Sequence, residues 1–323
     1  MLYEFAMTPD LFDSSVNNTD NAGTILIQLL RGLAENGLLA NLHKDRWVRH
    51  IEQRIDSLTP PLKDQIKSCL TTLDNRHRLV RHPKCMSGNP SSDLDWLNLA
   101  LESHQRIAFH AIFLSHDLIE KCGQKNDAFV EFLNSLNSQK WLEVSGKHTH
   151  QVEKTVNGFR QVLAPILRHA KSLSLVDAYM NYHELRFFNT IKLCSELMGQ
   201  RGHARLSGRI HIHAEGAKQK PNTRTIQEHL NVWEQNLLPL VQQDGHRFKV
   251  FLWENQTDSQ TMYDSYILTD QCGVFLHRLD CRTYSQANIT EWNLLDEDAR
   301  TRSLANYDPA SSPFILIGEK EIQ

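Results

Sequence analysis

Two histidines separated by one residue, His211 and His213, have the spacing of neighbours on one face of a β-strand. Two imidazoles placed in this way can bind a metal ion or contact a phosphate group. Glu215 falls on the same side if the strand continues that far. A zinc site takes three or more ligands from the protein, and no third ligand is identifiable in the sequence. The alternative is a pair of half-buried strand residues in a chain that contains 17 histidines.

The segment 199–224 has the strongest local charge bias, with six basic residues and a single acidic residue, Glu215. Lysine and arginine side chains in such a segment can follow a nucleic-acid backbone by contacting its phosphates. The residues predicted to bind nucleic acid are Arg201, Arg205, Arg209, Lys218, Lys220 and Arg224. The alternatives are a solvated loop, which includes residues 216–224, and a patch that meets an acidic partner protein.

The first half of the chain contains a scattered set of carboxylates: Asp10, Asp13, Asp93, Asp95 and Asp117. Asp117 follows residues 107–115, an apolar segment typical of a buried strand, and α/β folds place their ligand sites at the carboxyl ends of strands. In outline this arrangement resembles that of PIN-like metal nucleases, whose acidic residues gather at such ends to hold Mg²⁺ or Mn²⁺. Asp93 is also explained as a helix cap, and Asp10 as a turn residue.

The composition places these candidate sites in a folded protein. The chain has 323 residues, a formal net charge of −3 and 40% apolar residues, which excludes a mainly disordered chain. No apolar run approaches the length of a membrane span, and the acidic N-terminus lacks the layout of a signal peptide. We therefore expect a cytoplasmic protein without membrane contact. The six cysteines form no Cys-x-x-Cys pair, which argues against a zinc ribbon and predicts free thiols.

The fold class expected from the sequence is α/β, with a helix-rich first domain at residues 1–165 and a second domain at residues 166–323. In the first domain, the patterns predict helices at 23–42, 45–57, 61–74, 126–136 and 150–169, another that begins at Ser92 or Asp93, and strands at 2–7 and 107–115. The domain boundary is placed near Pro165.

The second domain alternates strands and helices before a run of three strands. The predicted strands are 172–179, 209–214, 248–253, 265–270 and 273–277, and the predicted helices are 183–199 and 225–243. Because strand–helix–strand units place their strands in parallel, we expect an α/β sandwich with a partly parallel sheet.

Four segments of this half carry a family resemblance: LVDAY (175–179), RIHIHA (209–214), FKVFLWE (248–254) and YDSYILTDQCGVFLHRLD (263–280). Their succession resembles the phospholipase D-like fold, in the compact form found beside bacterial defence systems. The resemblance covers residues 170–318 and implies a phospholipase D-like α/β sandwich for this domain.

In phospholipase D-like enzymes a histidine attacks phosphorus, a nearby lysine or arginine neutralises phosphate oxygens, and an aspartate supports the histidine. The resemblance places Tyr263 at the position of the histidine, Ser265 at that of the cation and Asp270 at that of the acid. A tyrosine hydroxyl, whose ordinary pKa is near 10, is a poor nucleophile without activation, and a serine cannot neutralise a phosphate. The resemblance therefore implies a degenerate motif without catalytic residues. Arg278 stands where such domains have a small glycine.

The leading functional hypothesis is a non-catalytic recognition or assembly subunit of a bacterial multi-protein system that acts on foreign nucleic acid, in defence against phages or plasmids. The defence context comes from the resemblance alone. The expected partners are other protein subunits, such as a nuclease or an ATPase, together with DNA or RNA, and no cofactor is expected. One alternative is a metal-dependent nuclease or phosphodiesterase that uses the first-half carboxylates or the pair His211 and His213. The second alternative is a pure protein-interaction scaffold.

Overall fold

The computed structural model describes residues 2–17, 22–82, 89–122, 130–132, 149–201, 204–205, 207–256, 262, 264–281 and 288–323. The chain divides into two compact units, Leu2–Lys147 and His148–Gln323. Within the described residues, no helix combines the length and the apolar character that crossing a membrane requires.

Five parallel strands form the sheet of the first unit. They are β1 (Tyr3–Met7), β2 (Gly37–Asn41), β3 (Leu79–Arg81), β4 (Ala111–Leu114) and β5 (Val130–Phe132), and their spatial order is β3-β2-β1-β4-β5. β2 and β4 are buried along their whole length, which is typical of parallel strands in an α/β unit. Of the two strands predicted for this half, the one at 2–7 is confirmed as β1, and the one at 107–115 is confirmed only over Ala111–Leu114, its neighbour β4.

The described helices of the first unit are α1 (Ser14–Asn17), α2 (Ala22–Asn36), α3 (Leu42–Arg54), α4 (Pro60–Asn75), α5 (Asp93–Arg106) and α6 (His116–Cys122), with 3₁₀ turns at Pro9–Phe12 and Ile55–Ser57. The predicted helix over 23–42 is wrong beyond Asn36, because Gly37–Asn41 is strand β2. A short apolar run is ambiguous between a buried strand and a helix, and here pairing with β1 and β3 decides for the strand. The predicted helix over 126–136 is wrong at Val130–Phe132, and the rest of that segment lies outside the described residues.

The second unit contains an eight-stranded mixed sheet. Its strands are β6 (Thr149–Glu153), β7 (Ser172–Val176), β10 (Arg209–Glu215), β11 (Arg247–Glu254), β12 (Ser265–Thr269), β13 (Gly273–Leu276), β14 (Ile289–Leu294) and β15 (Ile315–Ile322), in the order β15-β11-β10-β7-β12-β13-β14-β6. β8 (Gln200–Arg201) and β9 (Ala204–Arg205) form a separate antiparallel pair. β7, β10 and β11 are parallel neighbours and the remaining pairings are antiparallel, so the expected partly parallel sheet is confirmed.

The described helices of the second unit are α7 (Val156–Leu167), α8 (Leu185–Leu197), α9 (Ile226–Asp244) and α10 (Glu297–Asn306), with a 3₁₀ turn at Gly216–Lys218. The predicted helix over 150–169 is wrong at its start, because Thr149–Glu153 is strand β6 and pairs with β14. The helix begins after Thr155, whose side chain caps it by accepting from the backbone N–H of Gly158. This pairing ties residues before 165 to the second sheet, which explains why the units divide at Lys147 rather than near Pro165.

The two faces of the second sheet differ in what covers them. Gly318 of β15 lies directly against α9, since a Cβ at this position would come within 2.6 Å of Cγ2 of Ile226. The opposite face carries His213 and Phe251, whose rings are stacked at 4.7 Å, and Tyr307 packs there at the end of α10. Alternation along the strand places Arg209 and His211 on the same face as His213.

Candidate functional site

The first sheet reverses its strand order between β1 and β4. β2 and β3 lie on one side of β1, and the chain then crosses to form β4 and β5 on the other side. In open α/β sheets, ligands bind at the carboxyl ends of the strands where the order reverses. Asp10 follows β1 and Ser115 follows β4 at this place, and the backbone N–H of Ser115 donates to Oδ2 of Asp10 at 3.0 Å. The Asp10 carboxylate therefore lies at the switch point of the first sheet, where the strand order reverses.

One oxygen of this carboxylate has no partner in the described part of the chain. Asp10 is only 6% exposed, and its Oδ1 is buried without a hydrogen-bond donor. Buried polar groups are nearly always hydrogen-bonded, and a buried acceptor left unsatisfied costs about 1–3 kcal/mol. An unsatisfied carboxylate oxygen is also the kind of atom that Mg²⁺ or Mn²⁺ accepts as a ligand.

Two further carboxylates are joined near Asp10 by Arg54, which lies at the end of α3. Nη1 of Arg54 lies 2.6 Å from Oδ2 of Asp13, and Nη2 lies 2.5 Å from Oδ1 of Asp93. Nε of the same guanidinium donates to Nε2 of His50 at 3.0 Å. The three-dimensional structure thus joins Asp13, which follows β1, to Asp93 at the start of α5.

Burial and the neighbouring charges act in opposite directions on Asp13. Burial raises the pKa of Asp13, Arg54 lowers it, and the negative charges of Asp93 and Asp10 raise it by smaller amounts. The pKa of His50 is lowered, first by burial and then by the Arg54 charge, so this ring is a neutral acceptor for Arg54. Arg54 is ion-paired with Asp13 and Asp93, and the Asp10 carboxylate lies near enough to raise the pKa of Asp13, so the group keeps a net negative charge that a divalent cation would offset.

The remaining first-half candidates take other positions. Asp95 completes the capping box of α5, where its side chain accepts from the backbone N–H groups of Ser91 and Ser92 and its pKa falls to about 2. Asp117 is exposed in the first turn of α6, two residues beyond Ser115, and it has no hydrogen bond or ion pair with another described residue. Sequence reasoning missed Arg54 and His50, whose place on a polar helix carries no local sign of a site.

The degenerate motif positions of the second unit lie at opposite ends of one strand. Oγ of Ser265, at the start of β12, donates to Oδ2 of Asp177 at 2.9 Å. Asp270 follows the other end of β12 and accepts from the backbone N–H of Lys171 at 2.9 Å, so it holds the amino end of β7. Tyr263 lies outside the described residues.

Asp177 is a fully buried carboxylate at the carboxyl end of β7. Besides Ser265, the backbone N–H groups of Leu279 and Tyr179 donate to it, both at 2.9 Å. Burial raises the pKa of Asp177, and these hydrogen bonds and the nearby Arg278 charge lower it. Arg278 lies over the Tyr179 ring, with its guanidinium carbon 4.6 Å from the ring centroid, and Lys218 lies near the same ring at 5.4 Å. Two cations and one buried anion therefore lie close together at the carboxyl end of β7.

The residues of the predicted basic segment lie at both ends of strand β10, some at its amino end and others beyond its carboxyl end. Arg209 begins β10 and Lys218 follows its carboxyl end, so a strand of about 20 Å separates them. Nη1 of Arg224 donates to the Tyr182 hydroxyl at 3.2 Å, and Lys220 is exposed. The side chains of the other two predicted residues, Arg201 on β8 and Arg205 on β9, lie outside the described part.

His211 and His213 are neighbours on one face of β10, as their spacing predicts, with ring centroids 6.2 Å apart. Burial lowers the pKa of His213 to about 3 and also lowers that of His211. Nδ1 of His213 accepts from the indole N–H of Trp253 at 3.2 Å and is therefore already used. Among the described residues no third side chain completes a metal-binding group with the two rings. Glu215 ends the same strand, and burial raises its pKa.

The comparisons with known proteins leave the family open. No family model and no curated protein matches the chain. Among solved structures, the chain is similar to TrmBL2, an archaeal chromatin protein that shows a novel mode of DNA binding, with 11% identity and a TM-score of 0.23 over 78% of this chain and 82% of that chain. A TM-score this low does not show a shared fold and carries no argument about function.

Proposed function

We propose that the first unit is a metal-dependent nuclease centre, the first of the two alternatives that the sequence leaves open. The observation that carries this proposal is the buried Oδ1 of Asp10, which has no described partner, beside the carboxylates of Asp13 and Asp93. The leading hypothesis for the whole chain assigned nuclease activity to a partner protein. We favour the alternative because Asp10 lies at the switch point where α/β sheets bind ligands, with Asp13 and Asp93 joined nearby by Arg54.

The residues present fit a divalent metal of the Mg²⁺ or Mn²⁺ type. Such ions take oxygen ligands, and Asp10, Asp13 and Asp93 provide carboxylate oxygens on two different segments. When bound, a metal of this type neutralises charge on a phosphodiester and lowers the pKa of a water molecule. The Ser115 N–H holds Asp10 in place, and Arg54 supplies a positive charge to Asp13 and Asp93. Asp10, Asp13 and Asp93 would hold the metal, and Arg54 would supply a positive charge beside them for a substrate phosphate.

The test uses the purified full-length chain with end-labelled single-stranded and duplex DNA and RNA. Cleavage is followed with Mg²⁺, with Mn²⁺ and with EDTA. We expect metal-dependent cleavage that falls at least about a hundredfold in Asp10→Asn and in Asp93→Asn, since each removes a charged ligand of the metal. Asp64→Asn is the matched control, because Asp64 is an exposed aspartate of α4. Cleavage that survives both site variants, or that continues in EDTA, would contradict the proposal.

For the second unit we keep the recognition or assembly role expected from the sequence. The cations Lys218 and Arg278 support this role. Both lie beside Tyr179 at the carboxyl end of β7, where a phosphate backbone can approach. A phospholipase D-like domain without catalytic residues, a place in an antiviral defence system, other protein subunits as partners and a cytoplasmic location belong to the same proposal. Co-purification of a stoichiometric complex from the native host would support assembly. A chain that is purified from the native host as a monomer without partners would contradict it.

A further inference from the structure

The second unit contains a cavity that neither the metal centre nor the motif positions use. Its volume is about 560 Å³, and it lies on the face of the sheet opposite α9. Its walls include Arg209, Arg247, Lys249, His211, His213 and Tyr307. The first three form a basic end at the beginning of β10 and β11, and the aromatic side chains form the other end.

Two exposed guanidinium groups stand side by side at the basic end. Arg209 and Arg247 are paired residues in the parallel register of β10 and β11, so their Cα atoms belong to adjacent strands about 4.8 Å apart. Neither has an ion-pair partner among the described residues. Lys249, two residues further on, pairs with Glu319 at 3.0 Å. Adjacent like charges without counter-ions favour a bound anion, and arginine pairs bind phosphate oxygens through several donors.

Two carboxylates also line the cavity, and they limit what it can bind. Glu321 is paired with Lys249 in the register of β11 and β15, so it lies near the basic end, and Asp308 follows Tyr307 in the lining. Burial lowers the pKa of His211, Arg209 and Lys249 lower it further, and Glu321 raises it by less than either cation lowers it. Arg209, Arg247 and Lys249 outnumber Glu321 at this end, so a dianionic group is attracted there.

His213 provides a hydrogen-bond donor whose position is fixed. An indole N–H can only donate, so the contact from Trp253 requires Nδ1 of His213 to be unprotonated. Because the ring is neutral, the proton is on Nε2. The side chain is 2% exposed and lines the cavity, and its Nε2 makes no hydrogen bond within the described residues. The parallel stack on Phe251 prevents the ring from tilting.

We propose that this cavity binds the terminal phosphate of a nucleotide, with Arg209 and Arg247 on the phosphate and the Nε2–H of His213 donating to an acceptor of the nucleoside. The cavity lies within the range of roughly 300–1,000 Å³ that small-molecule sites occupy, so it exceeds what a lone phosphate needs. Its apolar walls at Tyr307 and Leu268 suit a sugar or a base. The same chemistry is offered by a free mononucleotide and by the 5′-phosphorylated end of an oligonucleotide. The inference does not depend on the metal centre of the first unit.

Isothermal titration calorimetry of the full-length chain tests the proposal without added metal. The probes are adenosine 5′-monophosphate, a 5′-phosphorylated tetranucleotide, adenosine and inorganic phosphate. We expect one or both of the first two to bind at least about tenfold more tightly than adenosine or phosphate alone. Arg209→Gln and Arg247→Gln should each weaken this binding about tenfold or more, because each removes a charge-assisted contact. Lys192→Gln, at an exposed cation on α8, is the control and should leave the affinity unchanged.

The two possible ligand sources give different results. Binding of the mononucleotide alone indicates a free nucleotide, and a strong preference for the oligonucleotide indicates a nucleic-acid end. His213→Phe retains a stacking ring and removes the donor, so we expect weaker nucleotide binding with unchanged phosphate binding in a variant whose circular dichroism is native. Equal binding of adenosine and its phosphate, or affinities that ignore both arginine variants, would overturn the proposal. Arg209 and Arg247 are exposed, so we expect both arginine variants to fold. They therefore test the proposal even if His213→Phe does not fold.

Discussion

Arg54 and Asp93 are joined by an ion pair of 2.5 Å between segments that are 39 positions apart in the sequence. The same guanidinium reaches Asp13, so a single cation holds two carboxylates that would otherwise repel each other. This contact offsets part, but not all, of the negative charge of Asp13 and Asp93. It also makes Arg54 the side chain that competes most directly with a metal ion for those carboxylates.

The first prediction concerns this competition. Arg54→Gln removes the cation between Asp13 and Asp93, and because these groups are partly exposed we expect a loss of only about 1–2 kcal/mol of unfolding free energy without metal. We expect Mn²⁺ to raise the melting temperature of Arg54→Gln more than that of the wild type. Differential scanning fluorimetry at several Mn²⁺ concentrations measures this shift. Arg49→Gln, on an exposed position of the same helix, is the control, and an equal Mn²⁺ shift in all three proteins would contradict the competition.

The second prediction separates a ligand from a helix cap. Asp95→Ala breaks the capping box of α5 and should lower the melting temperature while leaving the Mn²⁺ shift intact. Asp10→Asn should abolish most of the Mn²⁺ shift, because the buried carboxylate loses its charge. The Ser115 N–H can still donate to an amide oxygen at this position, so we expect little loss of stability. The reverse pattern, with Asp95 needed for the metal effect and Asp10 dispensable, would refute this assignment.

The third prediction concerns acid stability. His213 has a folded-state pKa of about 3, against an ordinary value of 6.5, because burial disfavours its charged form. A depressed pKa means that the unfolded state binds the proton more tightly, so this contribution to stability is present above pH 6.5 and is lost as the pH falls towards 3. We expect the histidine to contribute a slope of about 1.4 kcal/mol per pH unit within this window. Urea unfolding from pH 7 to pH 4 should show a shallower dependence in His213→Phe than in the wild type, and identical slopes would contradict the assignment.

The fourth prediction concerns nucleic-acid contact at the carboxyl end of β7 in the second sheet. Lys218→Gln and Arg278→Gln should each weaken DNA or RNA binding and reduce the slope of log affinity against log salt by about 1, since each removes one phosphate contact. Filter binding at several salt concentrations measures both quantities. Lys192→Gln on α8 is the exposed control and should keep the wild-type slope. Binding that ignores salt and both variants would favour the scaffold alternative.

Much of the second unit could be predicted from local patterns. The strands expected at 209–214 and 248–253 are β10 and β11, and the helix expected at 225–243 is α9 within one residue at each end. The two strands are short, mostly apolar runs and α9 repeats its buried residues at helical spacing, and both patterns are visible in the sequence. β6 was missed because Thr149–Glu153 is a mostly polar edge strand with a single buried residue, Val152, and its partner β14 is distant in sequence.

The candidate sites were only partly predictable, because their residues come from segments that are distant in the sequence. The amino-acid sequence by itself determined the α/β class, the alternation that places His211 beside His213, and the order of carboxylates in the first half. Only the tertiary structure decided that Asp13 and Asp93 meet at Arg54, that Asp95 caps a helix, and that Arg209 and Lys218 lie at opposite ends of one strand. Local patterns report on neighbours along one element, whereas a site depends on strand order and on contacts between distant segments.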